Sequence, residues 1–296
     1  MFELEGHVTE SMNDERTSSA TRPGEAEHLP QNRATRHDMA KHPPWPDTLY
    51  IVRHGESAGN VARDAAVAAR REIIDIAIRD VDVPLSPRGE EQSDALGHWF
   101  SQLPEDERPT IVISSPYLRA RQTTQRIMAS GDFPLANPER PVIVDERFRE
   151  KEFGVLDGLT KFGIVTRFPD QAKLRQSLGK FYHRPPGGES WCDVILRLRS
   201  AFEMLCREYC GQRVLVVCHS VVVLCMRYII EELTEEEILR IDRDNEIANC
   251  SVTRFDLDPT QGVVGKLVLG LFNFVAPLER EGAPVTSKPD LPVAAK

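Results

Sequence analysis

Leu49-Tyr50-Ile51-Val52-Arg53-His54-Gly55-Glu56-Ser57 carries the reading of the whole chain: a short apolar, β-branched run, a sudden cluster of polar residues, and a helical stretch beginning near Asn60. The same alternation recurs. Apolar runs at 110–114 (TIVIS), 141–144 (PVIV), 213–218 (RVLVVC) and 251–257 (SVTRFDL) are separated by helical patterns, and 266–275 (KLVLGLFNFV) reads as a final strand. Strands alternating with helices predict an α/β fold with a mainly parallel sheet covered by helices. Helix starts are signalled after Ser86-Pro87, after Ser115-Pro116, at Ser190 with Asp193 three residues on, and at Thr234 with Glu237 three residues on. In open α/β sheets ligands bind at the carboxyl ends of strands, where a following helix N-terminus offers N–H groups to an anion. Arg53 and His54 occupy that place. Gly55 permits a tight path that swings the imidazole into the crevice, and Ser57 and Asn60 add neutral hydrogen bonds for phosphate oxygens.

An Arg-His pair after one strand is, alone, an ordinary half-buried pair. The other strand ends decide. After TIVIS, Ser115 precedes a helix with Arg119 in its first turns, a cation at the positive end of a helix dipole and unfavourable there unless an anion lies between them. After RVLVVC comes His219-Ser220, so two of the four histidines of the core (His54, His98, His183, His219) directly follow apolar strands. After PVIV a loop holds Asp145, Glu146, Glu150 and Glu152, where a general acid for such a site would have to originate.

The 296 residues include 46 acidic and 37 basic ones, a formal net charge of -9, so no broad field draws nucleic acid or anionic membrane. Residues 1–46 are poor in aliphatic residues and show no period, and within 276–296 the segment after Pro277 carries three further prolines and mixed charge. Both read as disordered tails around one domain at 47–275. Cys192, Cys206, Cys210, Cys218, Cys225 and Cys250 form no CxxC pair and read as reduced and buried. With no signal-like N-terminus and no uninterrupted apolar span, the expectation is a cytoplasmic protein.

Taken together, VRHGES, LSPRGEEQ, SSPYLRARQT, RFREKEFGVLDG, PPGGES and VVCHS resemble, in order, the motifs of the histidine phosphatase superfamily, the phosphoglycerate mutase-like proteins. The likeness spans about residues 48–257. It implies a three-layer α/β/α sandwich and, motif by motif, His54 as the histidine that becomes phosphorylated, Arg53, Arg119 and His219 around the phosphoryl group, and Glu150 as acid and base. Ser57 and Asn60 fall in the family's first motif as phosphate-binding residues. No metal or other cofactor is implied, because the cations are built in, and the expected partner is a small phosphorylated metabolite. Ser220 stands where the family usually has glycine. Residues 61–83 have a helical period and read equally as a cap over the mouth, as scaffold or as a dimer element, so a homodimer stays open.

Gly154-Val155-Leu156-Asp157-Gly158-Leu159-Thr160-Lys161 keeps much of the mutases' G-x-L-x-G-L-N-K pattern. Yet Tyr182-His183-Arg184-Pro185-Pro186 offers one arginine where mutases carry two, and PPGGES at 185–190 is closer to the phosphatase branch. Phosphatase is therefore the preferred activity, with phosphoglycerate mutase as the alternative. A phospho-ligand binding module, and a zinc site from Cys206, Cys210, Cys218 and His219, are the readings from other classes.

Overall fold

The structure is a computed structural model and describes residues 44–287; the tail assigned to 1–46 lies, up to residue 43, outside the described residues. In chain order the elements are β1 (Thr48–Arg53), α1 (Ala58–Ala68), α2 (Pro87–Gln102), β2 (Ile111–Ser114), α3 (Leu118–Ser130), β3 (Ile143–Val144), α4 (Lys161–Arg167), α5 (Pro169–Tyr182), α6 (Trp191–Glu208), β4 (Arg213–Cys218), α7 (Ser220–Ile230), α8 (Glu235–Asp244), β5 (Val252–Asp258), β6 (Lys266–Phe274) and α9 (Ala276–Arg280). The six strands form one sheet in the order β3-β2-β4-β1-β5-β6. The first four are mutually parallel, and β5 and β6 add an antiparallel edge.

Side chains alternate across the central strands, and both faces are covered. Leu49, Ile51, Val214 and Val216 pack against α5, α6, α7 and α8. Tyr50, Val52, Leu215 and Val217 pack against α2, α3 and α9. That double burial is why β1 and β4 read as continuous apolar runs rather than as alternating ones, and it makes the molecule a three-layer α/β/α sandwich. Caps set the helix starts. Ser190 with Asp193 and Thr234 with Glu237 close reciprocal capping boxes, and Ser86 caps α2 with Pro87 at its first position.

Three expectations change. The helix read through 61–83 ends at Ala68, and Arg70 takes a positive φ of 50°. Beyond it Ile74, Ile76 and Ile78 share one side, a period of two that suits an extended chain of β-branched residues. Ser115 does not cap α3, whose N-cap is Tyr117 with no side-chain bond. The domain does not stop at 275. Residues 276–287 are described and docked: Leu278 is fully buried in the α2/α3 layer, Gln92 Nε2 donates to Pro284 O at 2.7 Å, and Asn249 N donates to Thr286 O at 2.7 Å. Pro277 and Pro284 prevent long regular structure but not docking by apolar anchors and side-chain bonds; the remainder, 288–296, lies outside the described residues.

The docked C-terminal segment gives a prediction. Leu278→Ala lowers unfolding free energy by about 2–5 kcal/mol, the cost of truncating a buried leucine, measured by urea unfolding of the full chain. A loose tail would leave the midpoint where it was.

Candidate active site

The parallel register assembles the site. Arg53 lies opposite Cys218 and Ser114 opposite Val217, so the residues that follow these strands emerge on one edge of the sheet. His54 N donates to Cys218 O at 2.9 Å and Ser115 N to Val217 O at 2.9 Å. His54 and His219 therefore meet edge to face, with ring centroids 5.1 Å apart, both fully buried.

His54 is held at both ends. Its Nδ1 lies 2.6 Å from Gly55 O. A carbonyl can only accept, so Nδ1 carries the proton and Nε2 the lone pair. Arg119 Nε donates to that Nε2 at 3.2 Å. The backbone around the imidazole is equally pinned: Asn249 Nδ2 donates to His54 O at 3.0 Å and Gly55 N to Thr123 Oγ1 at 3.0 Å. Gly55 is required by packing, because a Cβ there would lie 2.5 Å from Gly89 O at the start of α2. Thr286 Oγ1 donates to Asn249 Oδ1 at 3.0 Å, so the docked C-terminal segment braces the side chain that holds the His54 carbonyl.

Arg119, buried in the first turn of α3, reaches Asp80 as well as His54. Nη1 donates to Asp80 O at 2.6 Å and to Oδ1 at 3.1 Å, and Nη2 to Oδ2 at 3.1 Å. Asp80 is thus the anion that a cation at a helix N-terminus called for. His219 Nε2 is 2.8 Å from Ser115 Oγ, and its Nδ1 is 3.9 Å from Glu150 Oε2. Tyr117 sets its ring edge-on to His219 at 5.1 Å, and its hydroxyl donates to Glu152 Oε1 at 2.8 Å.

Glu150, also buried, arrives from the loop after β3. Its Oε1 accepts from Lys151 N at 2.7 Å, and Arg197 on α6 donates to Glu150 O at 3.2 Å while gripping both oxygens of Glu189. Burial raises the Glu189 carboxyl, but Arg197, the Glu152 N–H and Arg149 together hold the group below its ordinary range. Gly154, at a φ of +55°, lets this loop touch the Pro186–Gly188 turn, where a Cβ would sit 2.1 Å from Pro186 O. Burial, with Arg175 adding to it, pulls the Lys151 ammonium down to about 8, although Glu150 opposes the fall.

His54, Arg119, His219 and Glu150 are thus joined by direct contacts, and Arg53 adjoins them in sequence, buried, with Nη1 donating to Ile247 O at 2.5 Å. Ser57 and Asn60 come to the same edge, but their oxygens bond each other: Ser57 Oγ and N both donate to Asn60 Oδ1 at 2.9 Å, which caps α1. The four residues of the zinc reading are dispersed. Cys206 and Cys210 precede β4, Cys218 ends it, and His219 turns to Ser115. Among the described residues no group of three potential ligands is placed to hold a metal. Cys218, Cys225 and Cys250 are buried, and Cys192, Cys206 and Cys210 are half-buried. Among the described residues no helix is long and apolar enough to cross a membrane. Asp80, Asn249, Tyr117 and Arg197 escaped the sequence reading, since each acts through a contact distant along the chain. Ser115 was noticed, for a capping role it does not play.

A family model described as the histidine phosphatase superfamily, branch 1, matches residues 49–269. The 2,3-bisphosphoglycerate-dependent phosphoglycerate mutase 2 of Gloeobacter violaceus is 28% identical over 210 residues, covering 70% of this chain and 84% of its own. The fructose-2,6-bisphosphatase TIGAR of Xenopus tropicalis is 32% identical over 162 residues, 54% of this chain and 50% of that relative, so the match spans half of its length. Among solved structures, Bacillus stearothermophilus YhfR superposes with a TM-score of 0.60 at 23% identity, covering 78% of this chain and 98% of that one, a likeness of fold.

Lys151 supplies a pH signature. Its folded pKa near 8 lies below its unfolded value, so between about pH 8 and 10 the unfolded chain binds the extra proton and Lys151 makes unfolding harder as pH rises. Urea unfolding at pH 7.5 and 9.5 is expected to show a smaller upward change in stability for Lys151→Met than for the parent chain; equal changes would contradict the assignment.

Proposed function

This chain belongs to the histidine phosphatase superfamily, branch 1, and from that premise we propose that it is a metal-independent phosphatase that hydrolyses phosphate monoesters through a phosphohistidine on His54. The observation that carries the reading is the tautomer of His54: Nδ1–H is committed to Gly55 O, so the lone pair of Nε2 is directed at the edge shared with Arg119 and His219. A neutral imidazole so held attacks phosphorus in line. As the Nε2–P bond forms, the P–O bond to the alcohol breaks, and the protonated Glu150 carboxyl gives its proton to the departing alkoxide. Water then attacks phosphorus, Glu150 takes its proton, and the P–N electron pair returns to Nε2, releasing inorganic phosphate. Arg53, Arg119 and His219 offset the charge on the equatorial oxygens, and phosphoryl transfer is accelerated mainly by such fixed charges around the phosphorus. Ser57 and Asn60 serve this site by fixing the start of α1 beside the phosphate, and the Asn60 amide is the donor of that pair suited to an oxygen.

The mutase alternative differs only in the acceptor, a second substrate hydroxyl in place of water. The Gly154–Lys161 stretch and the mutase relative favour it; the single arginine in Tyr182–Pro186 and the bisphosphatase relative favour hydrolysis. One assay separates them: phosphate release from a panel of monoesters without added metal, beside isomerisation of 3-phosphoglycerate with a bisphosphoglycerate primer. His54→Ala is expected to abolish turnover and acid-labile phosphorylation of the chain, and Glu150→Gln to slow release by about 10²- to 10⁴-fold while still forming the phosphoenzyme with an activated ester. Isomerisation with little free phosphate would make the chain a mutase. A fully active His54→Ala would remove the mechanism.

A further inference from the structure

Beside the catalytic edge lies a pocket whose lining is unusual for a site that binds phosphate. Ile74, Ile76, Ile78 and Val83 form one wall, and Asp80 and Asp157 supply the acidic groups, with Arg119 as the one cation in the lining. The wall is not a loose flap. Ile74 N donates to Gly158 O at 2.8 Å, Thr160 N to Glu72 O at 3.0 Å, and Thr160 Oγ1 to Arg71 O at 2.6 Å, so 71–74 is stitched to 158–160, and Ile76 N donates back to Ile74 O at 2.9 Å. Burial, and then the neighbouring Asp80, push the Asp157 carboxyl up, which sets both carboxylates on the same space. Arg119 is shared between Asp80 and His54, so its charge is already largely answered on the pocket side. Other basic side chains do not line the pocket: Arg53 bonds Ile247 O, Arg63 lies 3.9 Å from Asp64, Lys151 lies over the Phe153 ring, and half-buried Lys180 pairs with Asp242.

We propose that this pocket receives the alcohol half of the substrate and selects phosphate monoesters whose leaving group is apolar and carries no second negative charge, with Asp157 as the residue that rejects a carboxylate or a second phosphate and Asp80 as the one that, by pairing with Arg119, leaves the lining no spare positive charge. The inference rests on the phosphatase reading above. One phosphoryl group is answered by Arg53, Arg119 and His219. A second anion would be carried past Asp157 into a wall of isoleucine, where it gains no spare cation and loses water. A hydrophobic alcohol instead buries its surface on Ile74, Ile76 and Ile78. Asp80 has a further part: by holding both terminal nitrogens of Arg119, it fixes the guanidinium while Nε touches the nucleophile.

The test compares esters that differ only in charge. 2-Phenylethyl phosphate and its ring para-carboxylate have similar alkoxide leaving groups, and 3-phosphoglycerate adds a small acidic substrate. The parent chain is expected to favour 2-phenylethyl phosphate by about tenfold or more in kcat/KM over both carboxylates, the scale of a close like-charge contact in a partly desolvated pocket. Asp157→Asn is expected to narrow the ratio to about threefold, chiefly through KM for the carboxylates, and Ile76→Asp to lower kcat/KM for the phenylethyl ester. Equal or better turnover of the carboxylates, or a ratio unmoved by both Asp157→Asn and Asp80→Asn, would overturn the pocket assignment while leaving the phosphatase reading standing. Release of phosphate from none of the three, with no acid-labile label at His54, would remove the phosphatase reading and this inference with it.

Discussion

The parallel pairing of β1 with β4 is the constraint on which the rest depends. With Arg53 opposite Cys218, the next residue on each strand is a histidine, and the two imidazoles meet at 5.1 Å. A slip of one residue would turn Leu49 and Ile51 to the opposite face and separate the rings. Registry is therefore enforced by the burial of both faces of the sheet: the same apolar alternation that stabilises the sandwich aligns the catalytic edge.

Around that edge, charge is balanced by groups that come from far along the chain. The Arg119 side chain spans Asp80 and His54, and Arg197 gathers the Glu150 loop and Glu189 onto α6. Such pairs hold geometry more than they add stability, because bringing a cation and a carboxylate out of water costs much of what their attraction returns. What they provide is a fixed arrangement before substrate arrives, which is what electrostatic stabilisation of a phosphoryl transition state requires. The C-terminal segment belongs to the same support through Thr286, Asn249 and the His54 carbonyl.

Acidic and apolar groups sit side by side next to this cationic edge. The edge suits any phosphoryl group, so it cannot by itself distinguish one ester from another. The proposed discrimination rests on the wall of Ile74, Ile76 and Ile78 and on the carboxylates beside it. These lie on a segment whose conformation follows from its contacts with 158–160 rather than from its own helical period.

The α/β class, the strand runs, the helix starts at Ser86, Ser190 and Thr234 and the positions of Arg53, His54, Arg119, Glu150 and His219 were legible in the chain, because each is local: an apolar run, a cap, a polar cluster at a strand end. The helix expected through 61–83 was not, since Ala-rich period and isoleucine period are indistinguishable until Leu159 and Gly158 offer the isoleucines an extended partner. Nor was the role of Ser115, whose hydroxyl is drawn to His219 only because parallel strands bring 115 and 219 together. Asp80 was equally silent, an ordinary acid in sequence that becomes the partner of Arg119 in space. Local chemistry thus determined which groups this protein brings to the edge where its parallel strands end, while long-range packing, which no residue spacing encodes, decided how they are oriented and what else shares the pocket.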